Sequence, residues 1–395
     1  MLRFTTAGES HGPALVAVLE GMVAGLPLAA DDVNGELARR QHGYGRGRRM
    51  QIESDTVEFL SGVRAGETIG SPIAMLIRNR DWKNWSEIMD PARNETDPDK
   101  RKRAVTRPRP GHADLSGMLK YDRSDARDVL ERASARETTA RVAAAAVCRR
   151  FLAEFSVRVG SHVVHLGGID AAVPGELPDD INASVADSPL RTLDRNAEGR
   201  MIARIDEAKR DGDTLGGICE VVCTGLPVGL GSYVSWDRKL DGRLAAAIMS
   251  IPAVKGVEVG IGFEAARLPG SSAHDEIEAQ ADATKSGGVH RRSNRAGGLE
   301  GGMTTGEPLV VRVAMKPIST LMKPLATIDT DTGSAASAVA ERSDVTAVPA
   351  MGVIAEGMVA FVIAQAFLEK FGGDSLGETR RNYESYIARI NERGK

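Results

Sequence analysis

A chain of 395 residues, 42% of them hydrophobic, is long enough to bury a large core; with 43 glycines and only 4% aromatic residues, that core is aliphatic and its turns are tight. A net charge of −3 excludes nucleic-acid affinity through bulk charge, so any cluster of arginines acts locally. Cys148, Cys219 and Cys223 lack zinc-like spacing and read as reduced core residues, and no HExxH or CxxC pattern calls for a metal. The stretch MLRFTTAGESHG has no basic leader before an apolar run, and no run of about 18 apolar residues appears, so the expectation is a cytoplasmic protein without a membrane span.

In chain order, Leu2 to Thr6 reads as a strand running into the polar turn Gly8-Glu9-Ser10-His11-Gly12-Pro13, and ALVAVLEGM as a buried strand. After Pro27 a helix with an acidic first turn ends in Arg39 and Arg40, matching the macrodipole, and leads to a loop that holds Arg46, Arg48 and Arg49 among glycines. MQIESDTVEFLSGV and IAMLIRN follow as strands. Residues 80–103, charged and carrying Trp82 and Trp85, bury no regular face and read as a mobile loop, either a lid or a local packing element.

VTRPRPGHADL cannot be helical because Pro108 and Pro110 interrupt it, so Arg107, Arg109 and His112 sit on a stiff cationic loop. Ser134, with Glu137 three residues on, reads as a capping box opening an Ala-rich helix that ends near Phe155, with Arg136 beside its free backbone donors: an anion site. Beyond it come a strand over SVRVGSHVVHLGGI, a polar connector from Pro174 to Met201, a helix to Gly212, a strand ICEVVCTGL, a helix from Lys239 to Ser250 and a strand VKGVEVGIGF. LEGGMTTGEPLVVRVAMKPIST, a helix from about Gly352 to Phe371 and a short charged tail complete the chain.

GETIGSPIAMLI and GMTTGEPLVVRV share a Gly-x-Thr-x-Gly-x-Pro turn feeding a strand, and the helices downstream close with FLAEF and FLEKF. The echo predicts two copies of one unit, hence one pseudo-symmetric α+β body, a single large domain over 1–395. The first copy is about 20 residues longer between these markers, which makes the Trp-bearing segment an insertion.

His11 and His112, in loops held by glycine and proline, are candidates for acid–base work, since imidazole titrates near ~6.5. Arg40, Arg46, Arg49, Arg109, Arg136 and Arg342 fall at loops and helix ends far apart in sequence, as a pocket for a polyanionic small molecule requires. Lys316 to Thr320 offers an ammonium and two hydroxyls around a proline-fixed turn, and Arg342-Ser343-Asp344 pairs a cation with a carboxylate.

Gly8-Glu9-Ser10-His11-Gly12, the stretch Glu131 to Val147 around Ser134-Ala135-Arg136, and Arg342-Ser343-Asp344 through Ala355-Glu356-Gly357-Met358 resemble the three signature segments of the chorismate synthase family. RPRPGHADL, SIPAVKGVE, NRAGGLEGGM and MKPIST resemble it too, in the family's order and over essentially the whole chain. The resemblance implies a β-α-β sandwich assembled as a homotetramer. It implies a carbon–oxygen lyase acting on phosphates, which converts 5-enolpyruvylshikimate 3-phosphate to chorismate and phosphate by anti-1,4-elimination with reduced FMN, in aromatic amino-acid biosynthesis.

By the same resemblance His11 would protonate or hydrogen-bond the reduced flavin, His112 would assist phosphate departure, and Asp344 would help remove the C6 proton. Ser134, Ala135, Arg136, Pro252, Ala253, Gly301, Lys316, Pro317, Ile318, Ser319, Thr320 and Arg342 would bind FMN. Arg40, Arg46, Arg49 and Arg109 would bind substrate or NADP. The electrons could come from NADPH used by the chain itself or from an external flavin reductase. The basic segments GYGRGRRM and PDKRKRAVTRPRP resemble RNA-contact sequences, but they lack interleaved aromatics, so no nucleic-acid partner is expected.

Overall fold

Two antiparallel sheets enclose a layer of helices in the computed structural model, which describes residues 1–47, 54–92, 104–280, 286–339 and 344–393. The first copy runs β1 (Arg3–Ala7), β2 (Ala14–Glu20), α1 (Ala30–Gln41), β3 (Val57–Phe59) and β4 (Ile73–Arg78), then the short helices α2 (Asp114–Tyr121) and α3 (Arg127–Leu130), and closes with α4 (Thr138–Ala153). The second runs β5 (Arg158–Leu166), β6 (Ile169–Asp170), α5 (Arg195–Asp211), β7 (Gly217–Thr224), α6 (Leu240–Met249), β8 (Val254–Val259), β9 (Leu309–Met315) and α7 (Val348–Phe371). A final helix, α8 (Leu376–Arg393), follows.

The strand order is β1-β2-β4-β3 in the first sheet and β8-β9-β7-β5-β6 in the second. Pairing β1 with β5, β2 with β7, β4 with β9 and β3 with β8 superposes the two orders, with β6 as an added edge. The α+β duplication predicted from the sequence is therefore carried by topology as well as by the Gly-x-Thr-x-Gly-x-Pro turns.

Alternation makes the first sheet half-buried, whereas β5 and β7 of the second are buried on both faces. Leu15, Ala17 and Leu19 of β2 and Ile73, Met75 and Ile77 of β4 point inward and are fully buried. α4 packs against β1 and β2, and α7 against β5, β7 and α4. The two central helices meet through small residues: a Cβ on Gly357 would lie 2.9 Å from that of Ala145, so only glycine permits this approach. α7 is long and apolar enough to cross a membrane by length and composition, yet it lies buried as the core helix of the sandwich. Cys148, Cys219 and Cys223 are free and buried here, and burial pushes the thiols of Cys219 and Cys223 up to about 12.

Three expectations need correction. The charged tail is the helix α8, whose Leu376, Thr379, Tyr383, Tyr386 and Ile390 recur at three- and four-residue steps, most of them toward the core. Its start is a capping box: Glu378 N–H donates to Ser375 Oγ at 3.3 Å, and Ser375 N–H donates to Glu378 Oε2 at 3.1 Å. At Ser134 only half of that motif forms. Ser134 Oγ accepts from Arg136 N–H at 3.2 Å, but the Glu137 carboxylate turns away to Thr6 and Arg141, and a 3-10 turn precedes α4. Finally, the polar connector is shorter than expected, because Asp194 caps α5 from residue 195.

Candidate functional site

Most of the sequence-predicted residues that are described gather at one end of the two copies, where equivalent connections leave the sandwich. From the first copy come the β1–β2 turn with His11, the loop after α1 with Arg46, and the β4–α4 connection with Arg109, His112 and Ser134 to Arg136. From the second come the segment after α6 with Pro252 and Ala253, and the β9–α7 connection with Lys316 to Thr320 and Asp344.

Arg40 lies at the centre of the first cluster, almost wholly buried. Its Nε donates to Thr138 Oγ1 at 3.0 Å and its Nη2 to the Ala135 carbonyl at 2.9 Å, which locks α1 onto the start of α4. Its Nη1 is 3.9 Å from Asp55 and has no hydrogen-bond acceptor among the described residues. Burial, then Arg46 and Arg136 nearby, push its guanidinium down to about 9, so the pocket carries an excess of positive charge. Arg46 Nε sits 3.3 Å from Asp344 Oδ2, and Gly47 N–H donates to Asp344 Oδ1 at 2.5 Å.

Arg136 braces the floor of the site. Its Nη1 pairs with Asp55 at 2.7 Å, while Nε and Nη2 donate to Asn79 Oδ1 at 3.0 and 2.8 Å. Asn79 in turn donates to the Gly12 carbonyl at 2.7 Å, and so ties the β1–β2 turn to the start of α4. Ser134 Oγ donates to Ser10 Oγ at 3.2 Å across the same junction.

His11 is held from two sides. Its Nδ1 is 2.9 Å from Glu131 Oε2, its backbone N–H donates to the same carboxylate at 2.9 Å, and Trp85 stacks on the imidazole with centroids 3.9 Å apart. Arg127 donates to Glu131 at 2.9 Å and lies over the Trp85 ring at 5.1 Å. Burial would raise the Glu131 carboxyl, but the hydrogen bonds and charges of His11 and Arg127 outweigh it and hold it below its ordinary value. The segment expected as a mobile loop over 80–103 is described to residue 92, where a 3-10 turn at Arg80–Asn84 delivers Trp85, whose indole N–H donates to Asp81 at 3.0 Å.

The second cluster surrounds His112. Its Nδ1 is 2.5 Å from Asp114 Oδ1, and Arg109 grips the same carboxylate through Nε at 2.8 Å and Nη2 at 3.1 Å. Burial would raise Asp114, but His112 and Arg109 hold its carboxyl far below the usual range. Arg109 Nη1 also donates to Thr320 Oγ1 at 2.9 Å, and Lys316 Nζ donates to the Gly111 carbonyl, so the proline-stiffened loop is strapped to the Lys316–Thr320 turn.

Two chains of contacts join the clusters. Asp125 Oδ1 accepts from Val105 N–H and Arg127 N–H, which leads from the His112 loop to Glu131 and His11. Thr214 Oγ1 donates to the Ile318 carbonyl, and Leu215 and Val345 carry the link on to Gly45 beside Arg46. Ala253, in the left-handed region at φ 69°, accepts from Lys316 N–H at 2.9 Å. Gly301 is apart from these residues: it turns the hairpin before β9, at the end of that strand opposite Lys316, about 20 Å away along the sheet. Arg49 and Arg342 lie outside the described residues.

Sequence reasoning missed Glu131, Asp114, Asp55 and Asn79. Asp114 stands two residues after His112, a spacing that could have pointed to it, and Glu131 lies within a stretch already singled out. Asp55 and Asn79 leave no local signal, since their partner, Arg136, is 81 and 57 residues away.

The arrangement can bind a polyanion against buried guanidinium groups and present two imidazoles beside it. The family model for chorismate synthase matches residues 2–368. The chain is 57% identical over 390 residues to the chorismate synthase of Geobacter metallireducens, covering 98% of each chain, and 58% identical over 394 residues to that of Rhodococcus jostii, covering 99% of this chain and 98% of the relative. A crystal structure of chorismate synthase aligns with a TM-score of 0.78 at 44% identity, covering 99% of this chain and 98% of that one. The chain belongs to the chorismate synthase family, lyases of the shikimate pathway to the aromatic amino acids.

Proposed function

We propose that the chain converts 5-enolpyruvylshikimate 3-phosphate to chorismate and phosphate by anti-1,4-elimination, with reduced FMN bound. The observation that supports this most is the cationic pocket itself: Arg40 Nη1 is buried without a hydrogen-bond acceptor among the described residues, with the guanidinium groups of Arg46 and Arg136 and the start of α4 beside it. Such groups call for anions, and both the substrate and the FMN phosphate bring them.

The residues present therefore fit the flavin. Ser134 to Arg136, Pro252-Ala253 and Lys316 to Thr320 would hold it, with Arg342 from the signature segment. Reduced FMN, when bound, supplies transient electron density while the phosphate leaves. With the flavin bound, His11 would hold or deliver a proton beside it, His112 would neutralise the departing phosphate, and Asp344, oriented by Gly47 N–H and Arg46, would take part in removing the C6 proton. Arg40 and Arg46 orient the anionic groups and keep them from water.

Assembly as a homotetramer and location in the cytoplasm belong to the same proposal, as does an electron source in either NADPH or an external reductase. Anaerobic phosphate release from 5-enolpyruvylshikimate 3-phosphate with chemically reduced FMN tests the reaction; an aerobic repeat with NADPH and oxidised FMN tests the source of electrons. Release in the first alone points to an external reductant and release in both to intrinsic flavin reduction. No release from folded, flavin-binding protein overturns the reading.

A further inference from the structure

The two histidines of the site share one arrangement, built from different segments. His11 Nδ1 meets Glu131, which is held by Arg127; His112 Nδ1 meets Asp114, which is held by Arg109. Both carboxylates are almost wholly withdrawn from solvent, while the imidazole side chains keep 18% and 17% of their exposure. Ionised carboxylates only accept hydrogen bonds, so in each pair the proton sits on Nδ1.

We propose that Glu131 and Asp114 are positioning residues, which hold His11 and His112 as Nδ1–H tautomers so that each exchanges protons through Nε2, with Arg127 and Arg109 balancing the carboxylates. The arginines matter because each shares the charge of its carboxylate, which in a lone buried pair would fall wholly on the imidazole. Arg109 acts on Asp114 through Nε and Nη2, with Nη1 going to Thr320; Nη2 also comes within 3.1 Å of His112 Nδ1, but Asp114 Oδ1, at 2.5 Å, is the nearer of the two and takes the Nδ1 proton.

Other charged groups face the pairs. Around His11 stand Glu9 on its own turn, Asp81 behind Trp85, and Arg132, which donates to the Gly8 carbonyl. Around His112 stands Lys316, bound to Gly111. At each Nδ1 the carboxylate accepts, Glu131 at 2.9 Å and Asp114 at 2.5 Å, and so sets the tautomer.

The inference rests on the reading that both histidines act at the reacting centre, and its test separates the two. In the ligand-free protein, hydrogen–deuterium exchange at the histidine C2 position, followed by mass spectrometry over a pH series, gives each histidine its own titration midpoint. Glu131→Gln is expected to move the midpoint of His11 and leave that of His112 in place; Asp114→Asn is expected to do the reverse. Each variant is thus the other's control. In the anaerobic assay each should lose on the order of 10²-fold or more in kcat with KM little changed, and Glu131→Asp or Asp114→Glu should recover part of it.

A midpoint that stays put in its own variant, or moves equally in both, overturns the assignment, as does a loss confined to KM. Midpoints that shift as expected while His11→Ala and His112→Ala turn over like the parent overturn the reading of the histidines instead.

Discussion

Thr68 and Thr304 make the same set of hydrogen bonds in the two halves of the molecule. Thr68 Oγ1 donates to the Val23 carbonyl at 2.6 Å and accepts from Leu26 N–H at 3.0 Å. Thr304 Oγ1 donates to the Pro227 carbonyl at 2.6 Å and accepts from Leu230 N–H at 2.8 Å. Their backbone carbonyls accept from Gly25 and Gly229, each at 2.8 Å. The echo thus extends to GMVAGL and GLPVGL, stretches whose likeness is faint until the hydroxyls align them.

Replacing either threonine by valine keeps the shape and strands a buried N–H and C=O. Each of Thr68→Val and Thr304→Val should therefore cost about 2–3 kcal/mol, and the two losses should agree within about 1 kcal/mol. Urea unfolding of the two variants checks this; a large disparity would show that the halves do not share the device.

The glycines of the same turns should behave differently. Gly66 and Gly302 both have positive φ, 79° and 82°, but a Cβ on Gly66 meets nothing within 4 Å, whereas on Gly302 it would lie 2.7 Å from Lys239 Cβ and 2.9 Å from its Cα. Gly66→Ala should cost about 1–2 kcal/mol through backbone strain alone. Gly302→Ala should cost measurably more, and melting temperatures of the pair decide it.

Glu356 is a fully buried carboxylate ringed by Arg39 at 2.7 Å, Arg149 at 2.7 Å and Arg191 at 3.0 Å, with Ser161 donating at 2.6 Å. Burial would raise it, but the three guanidinium groups prevail and hold it at about 2. Because the folded value is depressed, the stabilisation, about 3 kcal/mol, is present above the unfolded value near 4.5 and is lost as pH falls from there toward 2. Glu356→Gln should destabilise at pH 7 by about that amount, and the gap from the parent should close below pH 4.5. A gap independent of pH would contradict the charge argument.

Trp85 covers one face of His11, the nitrogen of its indole pinned to Asp81. Trp85→Ala should leave the fold intact and speed carbethoxylation of His11 by diethyl pyrocarbonate, located by mass spectrometry, several-fold, while His112 reacts at the parental rate. An unchanged His11 rate would mean that access is set elsewhere.

Much of this was legible from residue order. Period-two and helical patterns set the main strands and helices, and the repeated Gly-x-Thr-x-Gly-x-Pro turn announced two copies, because such signals lie within a few residues of each other. The Ser375-x-x-Glu378 box was equally legible, and was obscured only by the charge of the helix it opens. What residue order could not decide is how the buried charges pair. Asp55 with Arg136, Glu131 with His11 and Glu356 with Arg39 join residues 81, 120 and 317 positions apart. A side chain's type says that it needs a partner when buried; only the packing of two sheets on one helical layer determines which partner comes within reach, since an unpaired buried charge costs more than most folds can bear.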